Sequence, residues 1–238
     1  MTFPETRHSV LAAVRSEDPR ERASALEGVA GAYWRAVYTY LRLRFRHSPE
    51  DAEDLTQEFF ARALDKGWFA AYDDSRGRFR TYLRTCLDAF AANKHRAESR
   101  LKRGGDATFL ALDFATVEGD VRALELPAPD ADVEELFRRE WVRGLFARAT
   151  RELERWAIER ETPAVWEAFR RYDLAQGGSA GRRLSYADVA REMGLPVTQV
   201  TNHLFVARRE LRRLVVDALR AGCASEAEVA AECRELFG

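Results

Sequence analysis

Apolar positions recur at intervals of three and four residues along almost the whole chain, the period of helices with one buried face. From Arg20 to Phe45 they fall at Ala25, Val29, Ala32, Val37, Tyr40 and Leu41. Pro49 to Lys66 predicts a second helix, stopped by Gly67. A third runs from about Arg78, just after Gly77, to Arg103, and Gly104 and Gly105 end it. Residues 106–132 lose the period and contain Pro127 and Pro129, which predicts a linker with at most short helices. The period returns from Glu134 to Arg160 at Leu136, Trp141, Leu145, Leu153 and Trp156. Pro163 starts another helix through Val165, Trp166, Phe169 and Tyr172, closed by Gly177 and Gly178. Helices over 185–193 and 196–220 follow, then a short one from Ser225 to Phe237. No strand-like alternation, internal repeat or low-complexity tract interrupts the series. The expected fold is all-α: two small helical bundles joined by an acidic linker, the second containing a helix-turn-helix. The expected divisions are 1–103, a linker over 104–133, a second domain over 134–221 and a tail helix over 222–238. Trp34, Trp141, Trp156 and Trp166 share the spacing of the apolar residues and are expected in the cores.

Composition adds bounds. The 238 residues are 46% hydrophobic and 32% charged, an ordinary soluble mixture. No apolar run approaches the roughly 20 residues of a membrane span, and MTFPETRHSV lacks the cationic start and apolar core of a secretory signal. Cys86, Cys223 and Cys233 have no metal-ligand spacing and read as small core residues of a reduced, cytoplasmic protein without cofactor or membrane contact.

Charge changes the picture more. The net charge is −1, but it is unevenly spread. Ser75 to Arg103 holds nine Lys or Arg against two acids, Gly104 to Glu135 nine acids against one Arg, and Arg182 to Arg213 seven Arg against three acids. Basic, acidic, basic is the pattern of two polyanion-binding modules separated by a self-repelling linker. Solvated helix faces are the plain alternative. The coincidence of the basic blocks with separate helical units favours the modules.

The second basic block contains LSYADVAREMGLPVTQVTNHLFVARRELRR, Leu184 to Arg213. Ser185 can cap, with Asp188 as its capping-box partner. Val189 and Met193 point inward, Ala190 is small where a second helix crosses, Gly194 allows the turn, Leu195 plugs it, and Val200 faces back into the core. That is helix-turn-helix spacing, whose second helix enters the major groove by its first turns. Thr198, Gln199, Thr201, Asn202 and His203 would face the bases there, with Arg208 and the later arginines on phosphates.

The other question is posed by SPEDAEDLTQEFF, Ser48 to Phe60. A cap at Ser48, Pro49 and first-turn acids explain Glu50 to Glu53 but not Glu58. DAEDLTQEFFARAL, Asp51 to Leu64, resembles the core-binding helix of bacterial RNA polymerase sigma factors of the extracytoplasmic-function type. RGRFRTYLRTCLDAFAANKHRAESRLKR, Arg76 to Arg103, is similar to that family's segment that melts and reads the −10 promoter element, and the helix-turn-helix resembles its −35-reading domain. The paired glycines, long acidic linker and tail VAAECRELF resemble an atypical, longer branch.

The resemblance implies a sigma factor that binds core RNA polymerase and promoter DNA, with no chemistry of its own. It assigns polymerase docking to Asp51, Asp54, Gln57, Glu58 and Phe60, and −10 contact to Arg80, Tyr82, Asn93, Lys94, His95, Arg96 and Arg100. An acidic stripe flanked by Phe60 and Leu64 suits docking onto a basic, partly apolar surface. An anti-sigma factor or a kinase is a candidate regulator. Thr56, expected at the edge of the buried face, is a candidate phosphosite, where phosphate would add roughly −1.5 to −2 charges. Three departures stand out: Tyr82 replaces the family's usual Trp, Asp88 and Ala89 its Arg-Asn pair, and Thr201 and His203 basic residues. Losing cations weakens the salt-dependent part of −35 binding. The alternative is a stand-alone helix-turn-helix regulator that does not bind polymerase, for which the acidic helix has no use. An enzyme is disfavoured, since no phosphate loop or nucleophile elbow appears. The tail helix is marginal by itself. It is expected to pack on the Pro163 to Tyr172 hairpin or the first bundle, and with the linker to limit DNA access.

Overall fold

A computed structural model describes residues 13–14, 16–98, 112–123, 133–175, 184–223 and 225–238. Among the described residues there are nine α-helices and no strand, so the fold is all-α. In chain order they are α1 Pro19–Arg44, α2 Pro49–Asp65, α3 Phe79–Glu98, α4 Phe114–Ala123, α5 Val133–Glu159, α6 Pro163–Phe169, α7 Tyr186–Met193, α8 Val197–Gly222 and α9 Glu226–Phe237. The chain divides into two compact units, residues 1–145 with 219–238, and residues 146–218. This differs from the expected division, which kept the linker and tail out of both bundles.

The first unit is organised around α1. Asp18 caps it by accepting from the Arg20 backbone N–H at 2.8 Å, and Pro19 supplies a preset first turn. Most positions from Val29 to Leu41 are buried, so α1 is central rather than one-sided. Tyr33 stacks on Trp141 of α5 at 5.8 Å and meets the edge of Phe79 of α3 at 5.5 Å. Fully burying side chains of this size contributes about 1.5–3 kcal/mol each. Trp34, Trp156 and Trp166 are half-buried, so of these four tryptophans Trp141 lies deepest.

The linker contributes more than a tether. α4 buries Phe114, Val117 and Val121, and Phe114 sits against Trp34 and Tyr38 of α1. Its buried Glu118 accepts from the Tyr38 hydroxyl at 2.6 Å and from Arg42 at 2.7 and 2.9 Å. Burial and that carboxylate push the Tyr38 hydroxyl well above the usual tyrosine range. A self-repelling linker was expected here; instead its apolar stripe docks, and its central acid finds a guanidinium.

In the second unit, Leu153, Val165, Phe169 and Ala207 form one core cluster, with Trp156, Trp166 and Leu214 against it. Ala168, Val189, Ala190, Val200 and Leu204 form another, with Tyr172, Met193 and Leu195 packed on it. α6 widens into a π turn over Arg170–Leu174.

Candidate functional site

α2 carries the acidic stripe. The Ser48 hydroxyl accepts from the Asp51 backbone N–H at 3.1 Å, and Pro49 begins the helix. Ala52, Leu55, Thr56, Phe59, Phe60 and Ala63 are buried. Two expectations are corrected here. Phe60 is 5% exposed and packs against Phe59 at 5.3 Å and Phe69 at 6.4 Å, so it belongs to the core. Thr56 is 0% exposed, and its hydroxyl donates to the Ala52 carbonyl at 2.6 Å. A kinase cannot reach it while α2 is packed. Asp51 and Asp54 are exposed, and so is Leu64 at 44%. Glu58 is half-buried and bridges Arg62 at 2.7 Å and Lys94 of α3 at 2.5 Å. The Gln57 Oε1 atom is buried and accepts no hydrogen bond among the described residues. The Glu53 carboxyl is held above its ordinary value, first by burial and then by Glu50, Asp54 and Glu118.

The segment from Gly67 to Arg78 folds as two 3₁₀ turns, Phe69–Ala71 and Asp74–Arg76, and aims residues at the start of α3. Phe79 is fully buried against Tyr72 at 5.1 Å and Phe69 at 5.9 Å. Tyr82 donates from its hydroxyl to the Trp68 carbonyl at 2.8 Å and lies 5.4 Å from the Tyr72 ring. Between this segment and α3 lies a cavity of about 330 Å³, lined among others by Tyr72, Arg76, Arg78, Thr81, Tyr82 and Thr85. Arginine and tyrosine faces around a space of this kind can take a flat aromatic group carrying negative charge.

Among the described side chains, the −10 candidates Arg80, Tyr82, Asn93 and Lys94 do not share one open face. Arg80 is corrected: it is 8% exposed, its guanidinium over the Trp141 ring at 5.6 Å and bonded to Glu232 of α9 at 2.6 and 2.8 Å. Asn93 is exposed, and Lys94 is tied to Glu58. His95 and Arg96 fall within α3, and Arg100 lies outside the described residues. Arg84 is bonded to Glu134 at 2.6 Å and Asp88 at 2.7 Å. The cavity lining includes Tyr72, Arg76 and Arg78, none of which was among the expected −10 residues. The signal was the alternation RGRFR, Arg76 to Arg80, in which cations flank a glycine and a core phenylalanine.

In the second unit, Ser185 and Asp188 form a reciprocal capping box at the start of α7. Gly194 takes the left-handed conformation, φ 64° and ψ 31°, and turns the chain into α8. Thr198, Gln199, Thr201 and Asn202 are exposed on the first turns of α8, and His203 is half-buried. The Thr201 hydroxyl donates back to the Val197 carbonyl at 3.0 Å. Arg208 is held: it is bonded to Asp173 at 2.9 and 3.0 Å and to the Tyr186 hydroxyl at 3.2 Å, and lies over the Tyr172 ring at 5.4 Å. These contacts raise its already high pKa. Phe205, which sequence reasoning left out, is 65% exposed one turn beyond Thr201 and Asn202.

Among the described residues no group of three or more His, Cys, Asp or Glu could hold a metal, and no helix is long and apolar enough to cross a membrane. Residues 30–101, from within α1 through α3, match the family model of sigma-70 region 2. Neither the curated proteins nor the solved structures contain a match to the chain. The regional match supports a sigma-70 family likeness, and with it binding to RNA polymerase and recognition of promoters.

Proposed function

We propose that the protein is a promoter-specificity subunit of bacterial RNA polymerase, of the extracytoplasmic-function type in a longer branch, working in the cytoplasm where polymerase and DNA are. The observation that carries this reading is the presence of two surfaces in one unit, within the stretch similar to sigma-70 region 2. The acidic side of α2 presents Asp51, Asp54 and Glu58 beside exposed Leu64. The tyrosine- and arginine-lined cavity lies at the start of α3, in the same unit.

The division of labour follows from charge and shape. Carboxylates on α2 steer the protein to a basic face of core polymerase and fix its register. At the cavity, Tyr72 and Tyr82 supply stacking faces for a base taken out of the duplex, and Arg76 and Arg78 supply cations for its phosphates. In the second unit, α8 offers Gln199 and Asn202 as hydrogen-bonding pairs for adenine, and Thr198 and Thr201 as methyl contacts for thymine. Arg208 holds α8 to Asp173 and Tyr186 more than it offers itself to DNA.

The test is assembly. Wild-type protein should co-elute with core polymerase, and Asp51→Lys with Asp54→Lys, both exposed, should abolish co-elution while leaving helicity intact, since exposed changes cost little stability. Wild-type affinity in the double variant would remove α2 as the docking face. Failure of the wild type to bind polymerase, with DNA binding retained, would favour a stand-alone regulator.

A further inference from the structure

The described end of the chain returns to the first unit. Ser225 caps α9, accepting from the Glu228 backbone N–H at 3.2 Å. Glu228, Glu232 and Glu235 follow at spacings of four and three residues, one face of a helix. That face lies over the start of α3. Glu228 accepts the Phe79 backbone N–H at 2.8 Å, one of the donors a helix start leaves without a partner. Glu232, 2% exposed, takes Arg80 at 2.6 and 2.8 Å and Arg78 at 3.1 Å. Glu235 pairs with Arg78 and stands 3.6 Å from Arg80.

Two features set this contact apart from an ordinary packing seam. Its partners are those a nucleic-acid backbone would use: a helix N-terminus and two guanidiniums, one of which lines the cavity. It is also carried by ion pairs more than by apolar area, with Val229 as the buried aliphatic residue of α9. Buried ion pairs contribute little net stability, because desolvation offsets their attraction. An incoming anion that replaces the carboxylates can therefore do so at small net cost. The Arg80 Nε atom is buried without an acceptor among the described residues, so the glutamates do not saturate that guanidinium.

We propose that α9 is a built-in competitor for nucleic acid: its three glutamates occupy Arg78, Arg80 and the N-terminus of α3, and must leave before these groups hold the phosphates of an opened strand. The inference rests on the promoter reading and refines it, since it places the masked surface at the strand-opening end of α3. The ligand class is single-stranded DNA backbone.

The experiment uses the full chain. Cys223, 1% exposed on the link between α8 and α9, reports displacement of α9 by its rate of thiol labelling in a Cys86→Ser, Cys233→Ser background. In that background Glu232→Gln with Glu235→Gln removes two of the competing charges, and Glu232→Arg, as a second variant, repels both arginines. Circular dichroism confirms that each keeps its helices. Binding is measured with fluorescein-labelled oligo(dT) across a salt series. Faster Cys223 labelling should accompany about ten-fold tighter binding and a salt slope steeper by about 1.4, at about 0.7 for each of two phosphates held. Adding Arg78→Ala and Arg80→Ala should erase the gain. Faster labelling with unchanged affinity, in either variant, makes α9 a strut and overturns the proposal. A gain that survives loss of Arg78 and Arg80 overturns it equally. If labelling stays slow even in Glu232→Arg, the acids do not hold the helix down and the proposal fails. Co-elution of the wild type with core polymerase tests the promoter reading separately, so a failed latch with assembly intact leaves that reading standing.

Discussion

Neighbouring residues on α2 have opposite fates. Phe60 and Leu64 are one helical turn apart, and both were expected to flank the acidic stripe. Phe60 is enclosed by Phe59 and Phe69, whereas Leu64 remains 44% exposed. Phe60→Ala should therefore cost about 3–5 kcal/mol in a denaturant melt, the range for emptying a large buried site. Leu64→Ala should leave the melt nearly unchanged and lower polymerase affinity. Equal melts for the two variants would contradict this assignment. At the same scale, the Glu167 carboxyl is held at about 2 by hydrogen bonds from Arg170 and then Arg171. Its folded pKa lies below the ordinary 4.5, so the ionised form stabilises the fold. That contribution is complete above the unfolded value and disappears as pH falls through the folded one. Thermal melts of wild type and Glu167→Gln should differ at neutral pH, converge below about pH 4.5 and coincide near about pH 2. A gap that widens on acidification would mean that Glu167 acts by some route other than its charge.

Elements were legible where their signals were local. The cap at Ser48, Pro49, the capping box of Ser185 with Asp188, and Gly194 all lie within four residues of the feature they fix, and each stands where the spacing placed it. Docking of α4 was in principle legible as well. Phe114, Val117 and Val121 repeat at three and four residues, but nine acids across the segment drew attention to charge instead of period. Arg80 was not legible. Its partner Glu232 lies 152 residues away, and nothing in RGRFR announces a carboxylate from the other end of the chain. The exposure of Arg80 was misread for the same reason. The turn between α7 and α8 offers a direct test at this scale. With φ at 64°, Gly194→Ala forces an alanine into the left-handed region at a cost of roughly 1–2 kcal/mol. Gly194→Asn should cost less, because asparagine tolerates that conformation. Comparing the two by chemical denaturation separates backbone strain from crowding, since an added Cβ at Gly194 would meet nothing within 4 Å. Equal losses in both variants would point away from the dihedral.

The whole chain places a packed seam and an ionic clasp side by side near its C-terminus. The seam is the end of α8. Leu219 is buried, and the Tyr33 hydroxyl donates to the Gly222 carbonyl at 2.8 Å, a contact closed across 189 residues. Loop closure over that distance costs only slightly more than over half of it, so the long return is thermodynamically tolerable. The approach is close: a Cβ on Gly222 would stand 3.1 Å from the Tyr33 ring. The clasp is α9, held by three glutamates and Val229. Two truncations should therefore behave differently. A chain ending at Cys223 loses the clasp and keeps the seam. It should melt cooperatively, a few degrees lower, with its helices retained. A chain ending at Ala218 also loses Leu219, worth about 1.5–3 kcal/mol of burial. It leaves the buried Tyr33 hydroxyl without its acceptor, a further loss of about 1–3 kcal/mol. Against a total stability of about 5–15 kcal/mol, that is enough to broaden or abolish the melt of the first unit. Urea denaturation followed by Trp141 fluorescence, with the other four tryptophans replaced by Phe, reports on this unit directly. Equal destabilisation by the two truncations would show that α9, and not the end of α8, closes the fold, and a helix that closes the fold cannot also be the part that lifts away from Arg80.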